Sequence, residues 1–445
     1  MKYLQKTDPE IAKLIKSEDS RQESTLMMIP SENIASFAVE EAVGSSFGNK
    51  YAEGYPGKRY YQGQKYSDQL ESLVIERAKK LFKVVHVNVQ AHSGSPANFA
   101  VFTALLKPGA TIMGLSLNSG GHLTHGARLN ASSIYFNAVN YDVKPDGNID
   151  YEALMKLAKK IKPDLIIAGT TAYARILEWK KFAAIADSVG AFLMADMSHI
   201  SGLVATGVYP SPVPYVHVVT TTTHKTLRGP RGALIMTTPK GIKKDPDMGT
   251  KIDKAIIPGI QGGPHLNAIA GIGVALKEAG SKQFKSYSKQ IVKNAKTLAK
   301  ELLKYDFELV TGGTDSHLLL VDCRNKNLLG NTVALGCEAA GIVLNYNAVP
   351  FDPNPPFYPS GIRLGTPGIT SRNMKESQMV TIAKLLNEIV IALQKTKTRL
   401  KIADDQEKKR AVRTELVAKT PELKKILKQV ETLCKKFPLS KVYPV

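Results

Sequence analysis

A lysine at the end of a β-branched run is the first residue whose setting suggests chemistry. In residues 216–232 (VHVVTTTTHKTLRGPRG) a strand ends near Thr223 and hands His224 and Lys225 to its carboxyl edge, ahead of a Gly/Pro/Arg loop. Open α/β sheets bind ligands beyond the carboxyl ends of their strands. A lysine hemmed there by small and hydroxyl side chains loses proton affinity on burial and can act as a Schiff-base nucleophile. The plain alternative, one more surface lysine in a lysine-rich chain, sits poorly with that position. The second candidate is Asp196 in AFLMADMSHISG, closing an apolar strand with His199 three residues on. A buried carboxylate needs a cationic partner. The pyridinium nitrogen of pyridoxal phosphate is one, and an Asp there keeps the ring protonated as an electron sink. Alone, Asp196 reads equally well as the cap of the next turn. The third candidate is QAHSGSPAN, residues 90–98. Ser95 reads as a helix N-cap with Pro96 at the first helical position. Ser93, Gly94 and Ser95 would then offer N–H groups and hydroxyls to a phosphate at the positive helix end. The stretch has neither a P-loop ending nor a GxGxxG pattern. Each feature has an ordinary structural reading; the three in this chain order are hard to explain that way.

The elements that must position these residues follow from hydrophobic period. The first 45 or so residues read as helix, polar break and helix, with Ile11, Leu14 and Ile15 on one face and Ser36 capping the second helix. Residues 51–64 (YAEGYPGKRYYQGQ) form a Gly/Tyr-rich loop suited to a ligand or partner rather than a core. From about Asp68, helical runs alternate with short apolar strands: VVHVNV, DLIIAG, AFLMAD and VHVVTTTT. That alternation predicts an α/β fold with a mostly parallel sheet covered on both faces. Asp196 and Lys225 stand about one βα unit apart, which suits neighbouring strands. Beyond Gly280 a long basic helix and the strands FELVTG, HLLLVDC and GIVLNYNAV predict a smaller α+β domain. The division expected is an arm over 1–45, a large domain over 46–280 and a small domain over 281–445. The proline-rich segment 351–368 reads as an ordered loop or linker, and the basic stretch from Lys395 onward as a solvated helical face.

Composition narrows the class. The chain has 445 residues, 43% of them apolar, enough for a large core. Sixty Lys/Arg against 39 Asp/Glu leave a net charge of +21. Such a surface suits nucleic acid, an anionic membrane face or a polyanionic small molecule. Three scattered cysteines with no CxxC argue against a disulfide framework or zinc ribbon. A charged N-terminus and the lack of any 18-residue apolar run predict no signal peptide and no membrane span, hence a cytoplasmic enzyme.

The motifs resemble those of the serine hydroxymethyltransferase family. The likeness is carried by SEN at 31–33, NKYAEGYPGKRYYQG at 49–63, HSGS at 92–95, GGHLTHG at 120–126 and DMSHISGLVATG at 196–207. It continues through TTTTHKTLRGPRG at 220–232, QGGP at 261–264 and GIRLGTP at 361–367. The resemblance implies an aspartate-aminotransferase-like fold (PLP fold type I), pyridoxal 5'-phosphate as cofactor, and a homodimer with shared active sites. Its implied chemistry interconverts serine plus tetrahydrofolate with glycine plus 5,10-methylenetetrahydrofolate. Lys225 would carry the cofactor, with Asp196 on the ring nitrogen, His199 near the ring hydroxyl and His122 stacked on the ring. Ser93, Gly94 and Ser95 would hold the phosphate, helped by Gly263 from the other subunit, with Tyr51, Thr171, Thr222 and His224 also at the cofactor. Arg363 would clamp the substrate carboxylate between Ser31 and Tyr61, and Glu53 would be the acid/base group. Leu117, Gly121, Leu123, Asn347, Pro355, Pro356 and Phe357 match positions around the folate. Thr171 stands in place of a usual Ser, Pro96 of a usual Gln, and Phe351 of a usually polar residue. The stretch 395–413 looks like an insertion.

Other readings stay beside these. Glu53 would otherwise be a salt-bridge partner in a tyrosine-rich loop, and Arg363 one cation among many in a proline-rich loop. His122 and His125 have the spacing of a metal pair but no third ligand nearby, so no metal is expected. A folate-independent aldolase acting on threonine is the nearest rival. RNA binding driven by the charge is a secondary one, because no nucleic-acid motif accompanies it.

Overall fold

The computed structural model describes residues 2–439, which leaves the last residues of the basic C-terminal stretch outside the described part. Short runs of continuous apolar and β-branched side chains dictate the central layer. Its strands in chain order are β1 (His86–Asn88), β2 (Thr111–Leu115), β3 (Asn137–Tyr141), β4 (Leu165–Gly169), β5 (Phe192–Asp196), β6 (Val218–Thr222) and β7 (Ala233–Thr237). They form one sheet in the order β1-β7-β6-β5-β4-β2-β3, with only β7 antiparallel to its neighbours. Every residue of β4, β6 and β7 is buried. A sheet covered on both faces demands such continuous apolar runs. Successive residues serve opposite faces: Ile167, Met194 and Val218 enter one core, while Ile166, Ala195 and Val219 enter the other.

A second, antiparallel sheet takes the later strands β8 (Glu308–Leu309), β9 (Leu318–Asp322), β10 (Asn345–Asn347) and β11 (Gly361–Gly365), in the order β8-β9-β11-β10. It has its own core of Leu319, Val321, Ile362, Leu364 and their neighbours. The 22-residue helix Lys282–Leu303 bridges the two units. Its first half lodges Phe284 and Ile291 against the large sheet's core, and its second half lodges Leu298 and Leu302 in the smaller one. Residues Leu26 and Met27, early in the chain, pair in parallel with Ile342 and Val343 and so join the later unit.

Three expectations change. The helix Gly94–Leu105 begins earlier than the sequence suggested, with Ser93 rather than Ser95 as its N-cap. The N–H of Ala97 already bonds the Ser93 carbonyl at 3.1 Å, and Pro96, which has no N–H to lose, is tolerated inside the first turn. Arg363 lies in the middle of strand β11, not in a loop; only residues 351–360 of the proline-rich segment are irregular. The basic stretch is solvated over most of its length, with Lys395, Lys401, Lys408, Lys409 and Arg410 exposed, but two of its cations are not. Lys397 is buried and bonds Glu407 and Asp404 at 2.7 Å each, while Glu407 also accepts from the N–H of Leu329. Arg413 is buried as well, donating to the carbonyls of Glu407 and Lys408. Helices Arg410–Ala418 and Glu422–Lys436 complete the second core through Leu416, Leu423, Ile426 and Val430. Unpaired, these buried charges would be costly, so they come as networks. Among the described residues no helix is long and apolar enough to cross a membrane.

Candidate active site

The parallel register of β5 and β6 sets Asp196 beside Thr220, and that of β4 and β5 sets Gly169 beside Asp196. A side chain at Gly169 would come within 2.7 Å of the Asp196 carbonyl oxygen, so this strand end admits only glycine. Past the end of β6 the chain turns through Thr223 and His224 to Lys225. These strand ends open on a cavity of about 550 Å³, a size suited to a cofactor with a small substrate.

Asp196 is the buried charge of that cavity. Its Oδ2 accepts from Asn98 Nδ2 at 2.9 Å and lies 3.1 Å from His125 Nε2; its Oδ1 accepts from Ser198 Oγ at 2.6 Å and Ser198 N–H at 3.1 Å. The His122 N–H donates to His125 Nδ1 at 3.2 Å, which leaves the His125 proton on Nε2, facing the carboxylate. Burial alone would raise the Asp196 pKa, but the bonds from His125 and Asn98 outweigh it and hold the carboxyl far below its ordinary range. Asn98 is oriented in turn by Thr220 Oγ1, which donates to its Oδ1 at 2.7 Å.

Lys225 responds in the opposite sense. Burial lowers its ammonium to about 8, with the guanidinium groups of Arg363 and Arg231 adding to the shift and Asp196 opposing it. An amine in that range is partly neutral near pH 7 and therefore nucleophilic. His199 sits 3.3 Å from His317 through Nδ1 and Nε2, and the rings stack at 5.5 Å. Burial first and the nearby cations second keep both imidazoles neutral, His317 lowered to about 3.

At the far side of the cavity, Ser93, Gly94 and Ser95 lie at the start of the helix Gly94–Leu105, facing Thr222 and His224. Thr222 Oγ1 and His224 Nδ1 are buried and have no hydrogen-bond partner among the described residues. A side chain on Gly94 would strike Thr222 at 2.7 Å, so glycine keeps this end open. Arg363 reaches in from β11, its guanidinium donating to the Thr171 carbonyl and, at 3.2 Å, to Asn345. Ser31, His122, Thr171, Asn347 and His199 also line the cavity.

The remaining expected site residues lie elsewhere. Tyr51 and Tyr61 donate to the Glu53 carboxylate at 3.1 and 3.4 Å, and their rings meet edge-on. Gly263 packs against this group, since a side chain there would touch the Tyr51 ring. None of the four lines the cavity, and both tyrosines are exposed. Glu53 forms no ion pair among the described residues, so its salt-bridge reading finds no support. The turn holding Leu117, Gly121 and Leu123 borders the site through Thr171, whose hydroxyl donates to the Gly121 carbonyl at 2.9 Å. Pro355, Pro356 and Phe357 stand exposed on the loop before β11. His122 and His125 do not converge on a shared point: Thr124 engages the first and Asp196 the second.

Sequence reading missed Asn98, Ser198 and His125 as the groups that hold Asp196, His317 as the partner of His199, and Glu32 and Arg231 at the cavity wall. The adjacency of Ser198 to Asp196 in DMSH was the one usable signal; the others arrive from distant segments.

Comparison with known proteins agrees with this geometry. Residues 4–386 match the serine hydroxymethyltransferase family profile. The chain is 55% identical over 390 residues to a serine hydroxymethyltransferase of Desulfotalea psychrophila, covering 88% of this chain and 90% of that one. It is 52% identical over 437 residues to the serine hydroxymethyltransferase of Bartonella henselae, covering 98% and 95%. A third such enzyme, from Acidothermus cellulolyticus, is 53% identical over 390 residues, covering 87% and 90%. With a family profile matched over most of its length and relatives this similar, the chain belongs to the serine hydroxymethyltransferase family.

Proposed function

We propose that the protein interconverts serine and glycine, passing the one-carbon unit to and from tetrahydrofolate with pyridoxal phosphate as cofactor. The observation that carries this reading is the pairing of Asp196 and Lys225 over one cavity at the ends of adjacent strands, opposite an end fit for phosphate. The residues present fit the cofactor. A phosphate would meet the N–H groups of the helix Gly94–Leu105 and the partnerless Thr222 and His224 atoms. A ring nitrogen would meet the Asp196 carboxylate, which stays anionic. When bound, pyridoxal phosphate supplies an electrophilic carbon for amines and an electron sink.

The chain's own residues do the rest. Lys225, partly neutral, provides the amine that tethers the cofactor and then yields to the substrate amine. Arg363 forks the substrate carboxylate, held in aim by Thr171 and Asn345 and flanked by Ser31. Neutral His199 and His122 shape the ring site without adding positive charge. Glu53 manages the hydroxymethyl proton as Cβ leaves at the formaldehyde level, and returning a proton to Cα completes glycine. Folate lies along Leu117, Gly121, Leu123, Asn347 and the loop of Pro355, Pro356 and Phe357.

Tyr51, Glu53, Tyr61 and Gly263 serve the site of a second copy. Their cluster is outward-facing and apart from its own cavity, which supports a homodimer with shared active sites. The division into an arm over 1–45, a large domain over 46–280 and a small domain over 281–445 goes with this reading, residues 26–28 lodging in the small domain's core. The strongly basic surface attracts polyglutamylated folate, and the enzyme works in the cytoplasm. The test is product analysis. Serine and tetrahydrofolate should give glycine and 5,10-methylenetetrahydrofolate in equal amounts. Threonine cleavage with no folate-dependent serine cleavage would replace this reading by the aldolase.

A further inference from the structure

A second cavity, of about 430 Å³, lies behind Lys225, and none of its lining residues lines the first. It is walled by the helix Lys282–Leu303, the short helix Pro367–Ser371 and the loop that follows Lys225. Arg228 dominates it. This residue is 94% buried and holds a left-handed backbone, φ +64°, uncommon for any side chain but glycine. Its Nε donates to the Ile34 carbonyl at 2.9 Å, and its guanidinium lies 5.1 Å from the centroid of the Tyr287 ring. Nη2 is buried and has no hydrogen-bond partner among the described residues. The ring face offsets part of the charge but accepts no N–H bond of ordinary strength. Lys375 adds a second cation to the wall, and among the described residues no Asp or Glu lines it. The acid just outside, Glu376, is engaged by Gln290 and Lys293. Gln283, Ser286 and Gln290 add neutral polar groups.

Buried charges in proteins are paired, and a guanidinium fork suits oxygen pairs on carboxylate or phosphate. From the partnerless Nη2 of a buried guanidinium that lines it and from its acid-free cationic wall, we infer that this cavity is a binding site for a small oxyanion, separate from the catalytic cavity. The site touches the catalytic lysine's peptide. The Arg228 N–H and Asn33 Nδ2 both donate to the Lys225 carbonyl at 3.0 Å, and Asn33 also bonds Tyr287.

The experiment uses the cofactor-loaded enzyme saturated with glycine, so that Arg363 and the phosphate end are already filled. Equilibrium dialysis with labelled inorganic phosphate, and separately with labelled acetate, counts further bound anion per chain. One saturable equivalent is expected for at least one probe. The tighter probe tells a phosphate ester from a carboxylate as the natural class. Arg228→Gln should weaken binding at least tenfold. Ser286→Asp, which sets a carboxylate on the wall and leaves Arg228 in place, should do the same with an unchanged melting temperature, and so decides the matter if Arg228→Gln fails to fold. Absence of a saturable equivalent with both probes, or equal binding by wild type and Ser286→Asp, overturns the inference.

Discussion

The cavity around Lys225 and the cluster around Glu53 contrast as the two parts of the proposed chemistry. Around Lys225 the key charges are set within a single chain: Asp196 is buried and held anionic by four donors, Lys225 is lowered toward neutrality, and His199 and His317 are neutral. Around Glu53 the partners are two exposed tyrosines, and the bond to that carboxylate raises the Tyr51 phenol. Water still screens that group, so its strength depends on being covered. In the proposed homodimer the electron-handling residues are thus complete in one copy, whereas the proton-handling residue waits for a second.

Breaking the contrast completely needs both halves. Lys225→Ala should abolish turnover and covalent cofactor retention while leaving the fold intact. When chains carrying Lys225→Ala are mixed with chains carrying Glu53→Gln, the hybrid should regain activity that neither parent has. One of its two shared sites would then be wholly wild type. Hybrids as inactive as their parents would show that each chain uses its own Glu53. Glu53→Gln alone should lower kcat about 100- to 10,000-fold, as for other general acid–base groups, with KM for serine little changed. A pure binding defect would remove its proton role. Arg363→Ala should cost about 2–5 kcal/mol of substrate binding, read from kcat/KM, since it strips the partner from a buried carboxylate.

A smaller effect tests the electrostatics of Lys225. The unloaded enzyme should be trapped by an aldehyde and borohydride at a rate that rises about tenfold per pH unit and levels off near pH 8, where the lowered amine is half neutral. A rise continuing to pH 10 would mean an unperturbed lysine. The least effect concerns steering. The preference for polyglutamylated over monoglutamylated tetrahydrofolate should shrink as salt is raised, the screening length being about 8 Å at physiological ionic strength. Reversing the exposed Lys408, Lys409 and Arg410 should trim it further. Equal salt sensitivity for both folates would discard steering.

What the sequence revealed follows from how local each feature is. The β-branched run before Lys225 and the apolar run before Asp196 carry their own strand signal, so the sheet, its covered faces and both strand ends were legible. Helix starts were less so, because serine suits the N-cap at both 93 and 95, and the choice depends on how Gly94 packs against Thr222. Arg363 was misplaced in a loop because neighbouring prolines mask a strand of five residues that is stabilised by pairing on both sides. His317, Asn98 and His125 were not legible as partners of Asp196 and His199, since a helix, a short turn and the residue before a strand of the second sheet bring them together only in the folded chain. Two cations of the otherwise solvated basic stretch misled in another way. Lysines such as Lys397 look solvated in a string of charges, and their acidic partners appear only when the helices pack.

Arg372, almost wholly enclosed, donates to the carbonyls of Gln22, Glu23 and Thr25 on one side and of Cys434 and Phe437 on the other. This one side chain therefore fastens an early segment to a late one. During synthesis the pocket for its guanidinium cannot close until residues near 437 have left the ribosome. The second sheet unit must wait for nearly the whole chain, while the large sheet, complete by residue 237, can form long before. A nascent chain halted between residues 237 and 363 would hold the strand ends that carry Asp196 and Lys225 but not yet Arg363, the proposed substrate clamp.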